Sequence, residues 1–226
     1  MKDMFKIDVY FDLICPWCWI GKHHLDRALH LTAFNFGQGP VQVRWNSVQL
    51  LTDLPENGVP FVEFYEQRLG GASAVQARQN QVNQAAKNAG LSINFDRITR
   101  IPNTAKAHYL IGVASESLND RELDSLIETL FRAYFVDGKN LGDEQILTDI
   151  ARQSGLDTKK LQSGFAQVKT QQDTGKNLSI PTGVPHFIFN DQISLSGARS
   201  AEQIAALISD LLNKERLENA ALFNSL

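Results

Sequence analysis

The chain has only two cysteines, and both lie in one tetrapeptide, Cys15-Pro16-Trp17-Cys18. The tetrapeptide stands where a β-prone run, Lys6-Ile7-Asp8-Val9-Tyr10-Phe11, gives way to a helical pattern. A strand that feeds directly into a helix needs a sheet on which to pack, so the first fifty residues point to a βαβ opening. Pro16 suits the first helical position, where its missing N–H costs nothing. A helix N-terminus offers unpaired N–H groups and a partial positive charge that favour a thiolate. Two intervening residues let the sulfurs meet across the first turn. The pair therefore reads as a redox-active dithiol, with Cys15 as nucleophile and Cys18 as resolving thiol.

Further along, a Gly37-Gln38-Gly39-Pro40 break precedes a second strand expected over 41–50. From about Phe61 to Asn177 helical patterns dominate, and the spacing predicts helices over 74–89, 104–117, 121–135, 143–154 and 158–176. Leu123, Leu126, Ile127, Leu130, Phe131 and Tyr134 form the clearest apolar stripe, which reads as core. Strand character returns in His186-Phe187-Ile188-Phe189-Asn190. Asp191-Gln192 then suggests a tight turn into Ile193-Ser194-Leu195-Ser196. A last helix opens on a capping-box pattern, Ser200-Ala201-Glu202-Gln203. The order is βαβ, helices, ββα, with the two ends assembling one sheet and the middle inserted as a helical unit.

These residues are similar to a known family. Cys15-Pro16-Trp17-Cys18 after strand one, Gly21-Lys22, Gly183-Val184-Pro185 before a late strand and Gly197-Ala198 before the last helix resemble the DsbA-like branch of the thioredoxin superfamily. Asn103-Thr104, Ala107-His108 and Ala133-Tyr134-Phe135 with Gly138 look like its FrnE-like dithiol–disulfide oxidoreductases. The resemblance covers nearly the whole chain. It implies an α/β class, a thioredoxin-like fold interrupted by an all-helical insertion. A discontinuous thioredoxin-like domain would span 1–60 and 178–226, with the insertion over 61–177. It also implies a cis Pro185 facing the dithiol, with the Val184 backbone available to pair with an extended substrate. Pro16, Trp17, Val184, Pro185, His186, Asn103 and His108 would then border the substrate. His186 is open to two readings, an imidazole beside the dithiol or a strand side chain turned away from it. Asp12 either takes a proton from a thiol or caps its loop, and the capping role is favoured.

The implied activity is thiol–disulfide oxidoreductase or isomerase chemistry on protein or small-molecule disulfides and thiols. It needs no cofactor beyond the redox-active disulfide, with glutathione as a candidate co-substrate. The alternatives are a glutathione-dependent isomerase or transferase of the kappa-type and 2-hydroxychromene-2-carboxylate isomerase-like group, and a non-catalytic peptide-binding chaperone. Relatives using glutathione in that way typically replace the first cysteine by serine, so two retained cysteines argue for dithiol chemistry. His23 and His24 could complete a zinc site, but their spacing is wrong for a finger, and no metal is expected. A net charge of −3 over 226 residues gives no reason to expect nucleic acid. With no apolar leader or span, a cytoplasmic protein without a membrane partner is expected. Monomer and homodimer both stand, the latter through apolar residues of the tail such as Leu217, Leu222 and Phe223.

Overall fold

The computed structural model describes residues 4–32, 41–168 and 183–223, with side chains to Lys214. β1 (Phe5–Phe11), β2 (Val41–Ser47), β5 (His186–Phe189) and β6 (Ile193–Ser196) form one mixed sheet in the order β2-β1-β5-β6. β1 pairs in parallel with β2 from Phe5↔Val41 to Phe11↔Ser47, and antiparallel with β5 from Ile7↔Phe189 to Tyr10↔His186. The parallel pair needs a crossover, which α1 (Pro16–Leu31) supplies. β2 is shorter than expected: the Val48 N–H bond to the Phe11 carbonyl, at 2.9 Å, is the last of the ladder, and the Leu50 N–H is taken by the Asp12 carboxylate instead. The β5–β6 turn is centred one residue earlier than expected, on Asn190 and Asp191, whose φ values of 47° and 56° are the left-handed angles that such a hairpin requires. α8 (Ala201–Phe223) opens on the expected box. Gln203 N donates to Ser200 Oγ at 3.3 Å and Ser200 N to Gln203 Oε1 at 3.2 Å.

Between β2 and β5 lie α2 (Phe61–Leu69), α3 (Ala72–Asn88), α4 (Ala105–Ser115), α5 (Asp120–Phe135), α6 (Glu144–Gln153) and α7 (Thr158–Phe165). α2 has no separate counterpart in the expected helices, because its nine residues give too few turns for a period to emerge. A two-residue ladder, β3 (Val59–Pro60) with β4 (Arg100–Ile101), is likewise too short to leave a sequence pattern. α5 starts one residue before its expected range, where Asn119 and Glu122 cap each other's backbone. α7 stops at Phe165 rather than running on to 176. Its apolar period ends with Leu161 and Phe165, and a Cβ on Gly164 would fall 1.9 Å from the Tyr109 hydroxyl. Gly138, at φ 69°, closes the turn after α5 where a Cβ would sit 2.1 Å from the Arg97 carbonyl oxygen, so only glycine fits. The expected boundary at 177/178 and the tail side chains of Leu217, Leu222 and Phe223 lie outside the described residues.

Two apolar cores result. One joins Phe5, Ile7 and Val9 of β1 to Leu25, Ala28 and Leu29 of α1, Phe187 and Phe189 of β5, and Ile204 and Ile208 of α8. The other gathers the buried faces of the inserted helices around Phe11, Leu13, Ile14, Cys15, Cys18, Trp19 and Ile20. α1 thus belongs to both. Its first turns, which carry the dithiol, are held by the helices, and its last turns by the sheet. Trp19 is fully buried, with its ring nearly parallel to those of Phe135, 5.7 Å away, and Phe131, 6.3 Å away.

Candidate functional site

Cys15 is the N-cap of α1, in extended conformation (φ −91°, ψ 109°), and Pro16 occupies the first turn. Its N–H donates to the Asp12 carbonyl at 3.1 Å, and its own carbonyl accepts from Cys18 N at 3.0 Å, which winds the tetrapeptide into the helix. Both cysteines are free thiols. Their surroundings differ. Cys15 forms part of a cavity wall and its Sγ lies 3.8 Å from the Val184 carbonyl oxygen, whereas Cys18 faces inward. Burial, and then the neighbouring Cys15, push the Cys18 thiol well above the usual thiol range. A thiol held protonated in this way is a poor nucleophile until a base removes its proton.

The Val184–Pro185 peptide is cis, and Pro185 packs on the second turn of α1. There a Cβ on Gly21 would meet Pro185 Cγ at 3.1 Å and Phe187 Cζ at 3.2 Å. Gly21 is therefore the residue that allows α1 to approach the segment carrying the Val184 carbonyl. The Pro185 carbonyl accepts from Gly197 N at 2.8 Å, which ties this segment to the end of β6. His186 takes the other sheet face. Its Nδ1 lies 2.8 Å from Ser196 Oγ and its ring meets the Tyr10 ring edge-on, so its observed contacts are with β1 and β6 rather than with a cysteine. Burial holds the imidazole below the usual histidine range. His23 and His24 do not converge on the thiols either: His23 pairs with Glu128 and His24 with the Arg199 carbonyl.

Asp12, fully buried, directs its carboxylate to a loop N–H, that of the loop after β2, and to a histidine. Oδ2 accepts from Leu50 N at 2.8 Å, and Oδ1 pairs with His108 Nε2 at 3.1 Å. The Asp12 carboxylate also opposes ionisation of the Cys18 thiol, while the Asp12 backbone favours it. Asn103 does comparable work nearby. It accepts from Gln49 Nε2 at 2.8 Å and Ala105 N at 3.0 Å and donates to the Leu54 carbonyl at 2.8 Å. Asn103 and His108 are thus brought to the same loop, 48–54, but underneath it: both are buried and neither lines the cavity. The Asp12–His108 contact spans 96 positions, and no local pattern announces it.

The cavity, about 310 Å³, opens beside Cys15 between α2 and α3. Pro16 and Trp17 border it, and Leu50 and Leu51 of the pinned loop form another side. Tyr65, Arg68 and Arg78 also face it, three residues that no motif in the sequence marks. The aromatic density of Phe61, Phe64 and Tyr65 is the one local sign that could have drawn attention to them.

Lys22, only 2% exposed, fixes α1 against α5. Its Nζ lies 2.9 Å from Asp26, 2.9 Å from Asp124 and 3.6 Å from Glu128, which also accepts from Trp19 Nε1 at 3.0 Å. Three carboxylates around one ammonium leave a surplus of negative charge. Lys22 is accordingly held well above its usual range. Asp124 moves the opposite way from a simple ion-pair partner: its burial outweighs the attraction of Lys22, and Asp26 and Glu128 add repulsion, so it is pushed up to about 6.

Residues 6–209 match the DSBA-like thioredoxin domain. The chain belongs to this family. A DsbA-like fold is common to its solved neighbours. A "probable DsbA oxidoreductase" of Streptomyces coelicolor superposes with a TM-score of 0.73 at 22% identity, over 92% of this chain and 90% of that one. The cytosolic disulfide reductase DsbM of Pseudomonas aeruginosa, solved with GSH, superposes with a TM-score of 0.58 at 17% identity, over 92% and 99%. In sequence the DsbA-like chain is 27% identical over 216 residues to YwbO, an uncharacterized protein of Bacillus subtilis (strain 168), covering 92% of this chain and 98% of that protein. Among the described residues no helix is long and apolar enough to cross a membrane.

Proposed function

We propose that this DsbA-like protein is a thiol–disulfide oxidoreductase or isomerase of the FrnE-like branch, working in the cytoplasm, with Cys15 as the attacking sulfur and Cys18 as the resolving one. The observation that carries the reading is the asymmetry of the pair. Both residues are buried, but Cys15 lines an open cavity and lies against the Val184 carbonyl, while Cys18 does not reach the cavity and has its thiol pushed up. The Cys15 thiolate attacks one sulfur of a substrate disulfide, a Cys15–substrate bond forms, and the other half leaves as thiolate. Cys18 then loses its proton and attacks Cys15, closing the Cys15–Cys18 disulfide and expelling the second thiolate. The substrate gains two electrons and the protein loses two; the oxidising direction is the reverse. Pro16, Trp17, Val184 and Pro185 border the substrate, and Asp12, oriented by His108, receives the Cys18 proton.

Mass spectrometry of the two serine variants tests this. Cys15→Ser abolishes exchange and Cys18→Ser accumulates mixed disulfides; equal residual turnover in both contradicts the assignment. The apolar cavity at Cys15 gives one alternative some support, a glutathione-dependent isomerase acting on a small aromatic molecule. That activity would survive Cys18→Ser, whereas dithiol turnover would not.

A further inference from the structure

We infer that the cavity beside Cys15 selects low-molecular-weight disulfides that carry a carboxylate on an apolar, aromatic body. The inference rests on the dithiol reading above and specifies its substrate. At about 310 Å³ the cavity is at the lower end of the roughly 300–1,000 Å³ over which ligand pockets range, room for a substituted ring rather than a folded-out peptide. Phe61, Phe64, Val82 and Phe95 supply apolar walls, which would strip water from a polar tripeptide without replacing its hydrogen bonds.

The polar groups are few and of one kind. Arg68 and Arg78 both face the cavity, and among the described residues neither is paired with a carboxylate. Arg78 hydrogen-bonds instead to the neutral Gln81 amide at 2.8 Å, and the Arg68 guanidinium lies 5.8 Å from the centre of the Phe64 ring. Tyr65 lines the same wall, and burial, with Cys15 adding to it, holds its phenol above the usual tyrosine range despite the pull of Arg68 and Arg78, so it faces the cavity as a neutral hydroxyl. Two guanidiniums without a carboxylate partner among the described residues, a phenol and a thiol around one apolar space complement a molecule with an anion at one end and sulfur at the other. In the reaction, Cys15 forms a disulfide with the sulfur of the ring held in the cavity, and the distal half departs as thiolate. The ring's carboxylate stays at Arg68 and Arg78 until Cys18 displaces the ring as a second thiolate.

Single-turnover oxidation of the reduced full chain by two aryl disulfides tests this at about 0.15 M salt. One is 5,5′-dithiobis(2-nitrobenzoate), which is anionic, and the other 4,4′-dithiodipyridine, which is neutral. Each rate is divided by that of a free small thiol. The anionic-to-neutral ratio is expected to fall about tenfold in the Arg68→Gln/Arg78→Gln variant. It is expected to hold in Arg132→Gln/Lys139→Gln, which removes two exposed cations elsewhere. An unchanged ratio in the first variant, or an equal fall in the second, overturns the inference. Faster normalised oxidation by glutathione disulfide than by the anionic aryl disulfide, with the same dependence on the arginines, overturns the aromatic body. Failure of the wild-type dithiol to react with either aryl reagent or with glutathione disulfide would instead sink the oxidoreductase reading itself.

Discussion

Gly21→Ala separates stability from activity. Glycine in a helix interior costs roughly 0.5–1 kcal/mol relative to alanine, so on propensity alone the substitution stabilises. The new Cβ, however, would lie 3.1 Å from Pro185 Cγ, 3.2 Å from Phe187 Cζ and 3.4 Å from Pro185 Cβ. Carbon atoms rest at about 3.5–4.0 Å, so the shortfall is about half an ångström. Neither neighbour is the loose end of a flexible chain: one is a proline ring, the other a fully buried phenylalanine. Overpacking of this kind costs about 1–3 kcal/mol, leaving a net destabilisation of about 0–2 kcal/mol. The relief available is a shift of the Pro185 segment away from α1, which carries the Val184 carbonyl away from Cys15 Sγ. A misplacement of about 1 Å can cost about 100-fold in rate, so half of that predicts a loss of about tenfold in mixed-disulfide formation. Urea unfolding gives the first quantity and stopped-flow oxidation by excess aryl disulfide the second. A variant more stable by the full propensity gain, reacting at the wild-type rate, would show that the close approach of α1 to Pro185 has no part in the chemistry.

Asp12→Asn keeps an acceptor for Leu50 N–H and lets the His108 ring change tautomer, but removes the base nearest in role to Cys18. Closure of a trapped mixed disulfide should slow by about 10–100-fold and recover as pH rises, with attack by Cys15 much less affected; wild-type closure kinetics would refute the role. Asp124→Asn addresses the node beneath Lys22. A carboxyl at about 6 in the folded chain and about 3.9 unfolded binds its proton more tightly when folded, so the stability it contributes is present below about pH 4 and lost as pH rises through 6. Urea midpoints should show the variant gaining about 1–3 kcal/mol on wild type between pH 4 and 7, and parallel profiles would contradict the assigned shift.

Local chemistry made much of this molecule legible. The strand-to-helix junction, Pro16 at the start of α1, the Ser200–Gln203 box and the apolar stripe of α5 each follow from residues within a few positions of one another, which is where propensity and capping act. What the sequence hid is long-range. Asp12 meets His108, Lys22 meets Asp124, and Tyr65 and Arg68 join Arg78 at Cys15 only after α1, α2, α3, α4 and α5 have packed. The expected roles of Asn103 and His108 illustrate the difference. Their proximity to the site follows from the family pattern, but the fact that they brace a loop from below needs the fold. Short elements escaped for another reason: the β3–β4 ladder has two residues a side, and α2 little more than two turns.

The shared allegiance of α1 bears on dissection. Removing the inserted helices would not release a minimal redox module, because the half of α1 that holds the cysteines would lose its packing partners. Phe11, Leu13, Trp19 and Ile20, each at most 1% exposed, would face water together, and the Lys22 ammonium would lose two of its three carboxylates. A truncated chain would be expected to self-associate through that bare face. Transplanting the tetrapeptide into another scaffold would fail for a complementary reason, since the burial that sets Cys18 apart from Cys15 comes from helices the new host would not possess.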